Sequence, residues 1–248
     1  MVESVSPSEI KVLVMGFGPF LDIAKNPSWE ITRNLPTALT SSNGTPIKLV
    51  IPENYIPAAY HKIHAQVTAL IEKHSPDLIV HLGLAVDRGY FAVEKSASKE
   101  GYHDIPDVDR KVFTRGENKK AFGKAPDTLA TSFNLETVVY AWQDACVQVS
   151  LPIKAAEASK EKGKAKGKQE RRIVDVRLSD DVGTYMCGFM FYVSLLEMGK
   201  GRNGRRDVVF LHVPGLQATE EIDTGVNVTT KAIEALVEDW EVRSASRS

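Results

Sequence analysis

The chain has 248 residues, 43% of them hydrophobic and 25% charged, the balance of a folded protein rather than a disordered one. Its 31 Lys and Arg stand against 32 Asp and Glu, a net charge of −1, so no global positive field draws it to nucleic acid. Two cysteines exclude a disulfide framework, and no apolar run approaches the roughly 20 residues of a membrane span. The N-terminus lacks a basic stretch followed by an apolar one, so no secretory signal is expected. The expectation is a cytoplasmic protein with reduced thiols, folded as a single domain over residues 1–248.

Strands alternate with helices along the chain. Lys11–Met15 (KVLVM) reads as a buried strand ending in glycine, and Asn26-Pro27-Ser28 starts a helix that runs to about Leu35. Ile47–Ile51 is a second strand, followed by a helix over about Pro57–Lys73 whose apolar residues fall at helical spacing. Asp77–Gly83 (DLIVHLG) and Tyr90–Val93 are strands without polar alternation, a pattern that suits a sheet covered on both faces. The polar stretch Ser98–Pro126 is long for a loop and is a candidate for function or a short hairpin. A helix over Asn134–Val147, a strand over Ile173–Leu178 and a helix from about Thr184 to Met198 follow. A strand at Asp207–Val213 and a helix from Thr219 to about Val242, with a possible break at Gly225, complete the chain. This order predicts an α/β fold: three layers, with an open, twisted, mostly parallel sheet carrying helices on both faces.

Residues 154–172 break the pattern. They carry a net charge of +5, leaving −6 on the rest, and hold no large apolar residue. They read as a basic, flexible insertion; the alternative, a nucleic-acid tether, lacks aromatic residues to stack bases.

Cys187 falls near a helix start, where backbone N–H groups favour thiolate, the nucleophilic form. Cys146 sits within a helical pattern and reads as a small core residue. His212, ending a strand before Pro214, is the natural base for a cysteine nucleophile. Glu94, ending another strand, either orients that imidazole or pairs with Lys95 or Lys99 at the surface. Gly16-Phe17-Gly18-Pro19-Phe20 fails as a dinucleotide motif because Leu21 stands at the third glycine position. Phe17 and Phe20 either line a slot for a small flat ring or pack beneath their loop. His81 reads as a core histidine, and His61 and His64 lack the further ligands a metal would need.

Several of these segments together resemble the pyroglutamyl peptidase I family of cysteine peptidases. Val12–Phe20 with Asn26-Pro27-Ser28-Trp29-Glu30 is similar to its N-terminal signature. Pro76–Gly83 followed by Val93-Glu94-Lys95 is similar to its glutamate region. Ser179-Asp180 with Gly183–Cys187 is similar to its cysteine motif, and Phe210–Pro214 to its histidine motif. The resemblance implies hydrolysis of the amide bond after an N-terminal pyroglutamyl residue of small peptides, without metal or organic cofactor, membrane or nucleic acid. It makes Cys187 the nucleophile, His212 the base and Glu94 its orienter. It assigns Phe17, Phe20, Leu84 and Arg88 to substrate binding. Leu84 stands where bacterial members carry glutamine, and Lys99 where asparagine is expected. The alternatives are a hydrolase of the same fold acting on another amide or lactam, and a non-catalytic binder of pyroglutamyl ends.

Overall fold

A computed structural model describes residues 9–152, 170–201 and 203–246. Seven strands form the central sheet in the order β10-β5-β11-β4-β1-β3-β2. They are β1 (Ile10–Gly16), β2 (Ala38–Thr40), β3 (Pro46–Val50), β4 (Leu78–Leu84), β5 (Phe91–Glu94), β10 (Val176–Ser179) and β11 (Val208–Val213). The block β3-β1-β4-β11 is parallel, whereas β5 runs antiparallel to β11, and β2 antiparallel to β3. The sheet is thus mixed but mostly parallel, as the apolar runs predict.

Alternation along the strands feeds two cores. Val12, Val14, Leu78, Val80, Val209 and Leu211 face one cluster. Helices α1 (Pro27–Arg33), α4 (Leu135–Cys146) and α6 (Thr219–Ala245) cover it. Leu13, Met15, Ile79, Val208 and Phe210 face the other, under α2 (Tyr60–His74), α3 (Arg115–Phe122) and α5 (Met186–Gly199). Because successive strand residues point to opposite faces, buried strands must be apolar on both, which is why these segments show no polar alternation. Helix α5 is buried from Gly188 to Leu195 because α2 and α3 close over its outer side. Among the described residues no helix is long and apolar enough to cross a membrane.

Several boundaries differ from the sequence reading. The polar stretch before Pro126 holds α3, started by a reciprocal cap in which the Thr114 hydroxyl takes the Glu117 N–H while the Glu117 carboxylate takes that of Thr114. Capping, rather than an apolar stripe, makes that helix. The stretch is flanked by β6 (Ser96–Ser98) and β7 (Thr128–Ala130), which pair antiparallel. The single strand expected over Ile173–Leu178 is two pieces. β9 (Arg171–Ile173) pairs with β8 (Ser150–Pro152) in a separate ribbon, and β10 joins the main sheet. Helix α6 runs unbroken through Gly225, where a Cβ would come within 2.6 Å of Ile31 Cδ1. The bulk of the basic insertion, residues 154–169, lies outside the described residues. Its final arginines belong to β9, where Arg171 bonds Glu220 and Arg172 Nη2 donates to the Gly89 carbonyl at 3.1 Å.

Candidate active site

The parallel block ends its strands on one side of the sheet, the side where open α/β folds place ligands. β1 leaves the sheet at Gly16 into the Phe17–Phe20 loop. Asn26 and Ser28 at the start of α1 hold this loop: Asn26 Nδ2 donates to the Gly18 carbonyl at 3.0 Å, and Phe17 N–H donates to Ser28 Oγ at 3.1 Å. The Asn-Pro-Ser segment therefore both caps α1 and fixes the loop beside the site. Phe17 is 4% exposed and packs on Phe210, ring centroids 6.5 Å apart, whereas Phe20 is only partly buried. Phe17 backs the site, and Phe20 packs, partly buried, against the same apolar cluster.

Cys187 is the second residue of α5. Tyr185, at the helix cap, offers no side-chain acceptor to the first-turn N–H groups, and its hydroxyl donates instead to the Pro106 carbonyl at 3.0 Å. The first-turn N–H donors thus stay available to a ligand. Two glycines let the thiol reach the sheet. A Cβ on Gly188 would lie 2.1 Å from the Gly183 carbonyl oxygen, so only glycine lets the preceding turn close on the helix. A Cβ on Gly83 would lie 3.0 Å from Cys187 Sγ and 2.5 Å from the Phe210 ring. The sulfur therefore rests against the bare backbone of β4.

Gly83 is the register partner of His212 on β11. The sulfur of the nucleophile candidate thus rests against one strand, and the base candidate stands on the neighbouring one. His212 Nδ1 lies 2.8 Å from Glu94 Oε1, and the imidazole packs on Phe210 with centroids 4.9 Å apart. A carboxylate acceptor at Nδ1 assigns the proton to that nitrogen and leaves Nε2 as the one able to take a proton. Glu94 is fully buried. Arg88 Nη1 donates to Oε1 at 2.6 Å and the Asp181 N–H to Oε2 at 2.9 Å. Burial pushes the carboxyl up, but bonds from His212, Ser179 and Arg88 outweigh it and hold Glu94 down at about 2. The surface pairing with Lys95 or Lys99 is overturned: Lys95 pairs with Glu136, and Lys99 with Asp127.

Burial opposes the thiolate that the helix start favours. Burial first, then the Glu94 carboxylate, push the Cys187 thiol up to about 12, against the opposing pull of Arg88 and its own N–H. Cys146 is a core thiol at 1% exposure, pushed by burial up to about 11.

The remaining candidates divide. Arg88 reaches Glu94 and, through Nη2, the Asp181 carbonyl at 2.7 Å, so it braces the carboxylate. Leu84 ends β4; alternation sends its side chain to the face opposite Gly83 and Cys187, leaving its main chain toward the site. His81 is a core residue that bonds Ser194 Oγ at 2.7 Å, and burial lowers it to about 3. Asp181 was not singled out by the sequence. It acts through its backbone, which any residue possesses, and the adjoining Ser179-Asp180 pair was the available signal.

The sequence profile of the family described as pyroglutamyl peptidase matches residues 10–148. Pyroglutamyl-peptidase 1 of Rattus norvegicus is 28% identical over 228 residues, spanning 92% of this chain and 88% of its own. Pyrrolidone-carboxylate peptidase of Pseudomonas fluorescens is 29% identical over 227 residues, spanning 91% and 87%. In fold, the pyrrolidone carboxyl peptidase from Thermococcus litoralis superposes with a TM-score of 0.68 at 16% identity, over 94% of this chain and 96% of that one. With more than half of the chain matched by one family profile, the chain belongs to the pyroglutamyl peptidase family.

Proposed function

We propose that the protein is a cysteine exopeptidase that hydrolyses the amide bond after an N-terminal pyroglutamyl residue. The observation that carries this reading is the seating of Cys187 Sγ against Gly83, register partner of a histidine already bonded to a buried carboxylate. Cys187 attacks the pyroglutamyl carbonyl, and its proton passes to His212 Nε2 as the carbon–sulfur bond forms. This concerted transfer suits a thiol that is neutral at rest. Glu94 keeps the imidazole in the required tautomer and offsets its developing charge. The N–H groups opening α5, which no cap side chain takes up, receive the oxyanion. The imidazolium then protonates the departing amine, and His212 draws a proton from water as it cleaves the thioester.

The pyroglutamyl ring carries no charge, so apolar walls with a few amide partners suffice. Phe20 supplies a wall, Phe17 backs it, and Leu84 offers main chain. Arg88 acts through Glu94. A free-thiol nucleophile functions in a reducing compartment, which supports a cytoplasmic enzyme acting on small peptides. Release of a fluorophore from a pyroglutamyl amide, absent in Cys187→Ala and absent for the corresponding prolyl amide, is the expected result. Turnover by Cys187→Ala would refute the assignment.

A further inference from the structure

Residues 105–111 form an exposed loop with one buried member, and that member is charged: Asp107 is 6% exposed, while its neighbours on both sides face solvent. Carboxylates enter a core only where partners hold them, so the partners explain its place. Asp107 Oδ2 takes the Tyr60 N–H at 3.0 Å, and Oδ1 takes those of Asp109 and Lys111, each at 2.9 Å. Tyr60 is the first residue of α2, whose cap position, Ala59, has no side chain able to accept. Asp107 thus caps α2 from 47 residues further along the chain, where the positive end of the helix dipole favours its charge. The same carboxylate winds the loop around itself. The Arg110 N–H returns to the Asp107 carbonyl at 2.9 Å, with Arg110 held at a left-handed φ of 59° to close the turn.

The loop fixed in this way holds the start of the nucleophile's helix. The Pro106 carbonyl, next to Asp107, takes the Tyr185 hydroxyl at 3.0 Å, and the Ile105 carbonyl takes that of Tyr60 at 3.1 Å. The rings of Tyr60 and Tyr185 meet edge to face, with centroids 6.1 Å apart. Tyr185 is therefore gripped at its hydroxyl by the loop and at its ring by the first residue of α2, and both grips converge on Asp107. Tyr185 is the cap of α5, and Cys187 follows two residues later.

Resting on the pyroglutamyl reading, we infer that Asp107 is a positioning residue for acylation: through the Pro106–Tyr185 bond it sets the turn that carries Cys187 and the first N–H groups of α5. Fixed donors receive an oxyanion without reorganising as it forms, so slack in this turn is felt in kcat. Tyr185→Phe removes only the link, and Asp107→Asn leaves one acceptor oxygen where the carboxylate offers two. Tyr185→Phe should lower kcat by about three- to tenfold and Asp107→Asn by at least about tenfold, with KM held within about twofold. Because both act through one link, the double variant should be no slower than Asp107→Asn alone, whereas independent effects would multiply. Iodoacetamide reads the same turn without substrate: Cys187 should react several-fold faster in Tyr185→Phe as the turn loosens, with Cys146 unchanged. A purely structural Asp107 would lower the melting temperature, speed both cysteines alike and leave kcat per folded molecule intact. That result, multiplying effects, or a loss confined to KM overturns the inference. Should Asp107→Asn fail to fold, Tyr185→Phe decides alone, and parental kcat with parental Cys187 labelling overturns the positioning role while sustaining the peptidase reading. A parent inert to pyroglutamyl amides overturns both.

Discussion

Arg88 and His212 meet on a single oxygen: Nη1 of one lies 2.6 Å and Nδ1 of the other 2.8 Å from Glu94 Oε1. One oxygen of this fully buried carboxylate thus receives two nitrogen donors, and the second oxygen is held by the Asp181 N–H. Without Arg88, the buried carboxylate loses a charged partner and turns toward the neutral form, a poor orienter of imidazole. Arg88→Met should lower kcat by about 10–100-fold with a smaller change in KM, and shift the acid limb of the kcat profile to higher pH. Arg88→Lys should restore part of both. A loss confined to KM, with the pH profile unmoved, would make Arg88 a substrate contact instead.

Glu94 also ties stability to pH. Its carboxyl sits at about 2 in the folded chain against an ordinary 4.5, so the unfolded chain binds the proton more readily. The stabilisation is complete above about pH 4.5 and is lost as pH falls toward 2. Thermal melts between pH 6 and pH 3 should show a shallower decline for Glu94→Gln than for the parent. Glu94→Gln should lower kcat by about 10²–10⁴-fold, since the nucleophile remains while orientation and charge are lost. An unchanged melting slope would show that Glu94 is not the group being titrated.

The high Cys187 thiol makes reactivity depend on alkali. Iodoacetamide should label Cys187 slowly at pH 6 and faster with each unit toward pH 9, because the reacting thiolate grows as pH approaches about 12. Cys146 should lag behind it, being 1% exposed. A pyroglutamyl analogue should slow labelling at Cys187 alone, as read by peptide mapping. Rapid labelling of Cys187 at pH 6 would contradict the neutral resting thiol.

Gly83 tests the seating of the sulfur. An added Cβ meets the Phe210 ring at 2.5 Å and Sγ at 3.0 Å, so Gly83→Ala should displace Cys187 from its place beside β11. Activity should fall by at least about 100-fold, the scale of a 1 Å misplacement. The control is Gly44→Ala on a distant loop, where nothing lies within 4 Å of the added carbon, although φ of +82° makes it costly to stability. Normal turnover in Gly83→Ala would show that the sulfur does not depend on this contact.

His81 predicts a second pH effect of known sign. Burial lowers it to about 3 from an ordinary 6.5, so protons favour the unfolded chain below pH 6.5. Stability from the neutral imidazole is full above pH 6.5 and lost as pH falls toward 3. His81→Leu forfeits the bond to Ser194 but should flatten the melting profile between pH 6.5 and pH 4. A profile parallel to the parent's would rule out this titration.

The sequence carried the strands of the main sheet and the residues of the site because both are written in local pattern. Leu78–Leu84 is apolar throughout, and Cys187, His212 and Glu94 each close or open an element. What it did not carry depends on contacts between distant segments. The reversed direction of β5 has no local signature. Helix α3 is made by the Thr114–Glu117 cap rather than by apolar spacing. For Cys187 the helix position was visible in the sequence, whereas the packing and the approach of Glu94 that push its thiol up were not. Arg88 was placed at the site, but its bond to Glu94 spans two elements and only the folded chain reveals it.

β11 is the last of the described strands in sequence, yet it lies between β4 and β5. A nascent chain emerging from the ribosome therefore presents those two strands with unpaired edges until residues 208–213 arrive to join them. His212 arrives with the same strand, so the protein acquires its proposed base at the moment its sheet closes. A chain truncated before β11 should be both inert and prone to aggregate, since open edges recruit other strands. Partly made copies of this hydrolase would thus be harmless as enzymes and hazardous as polymers.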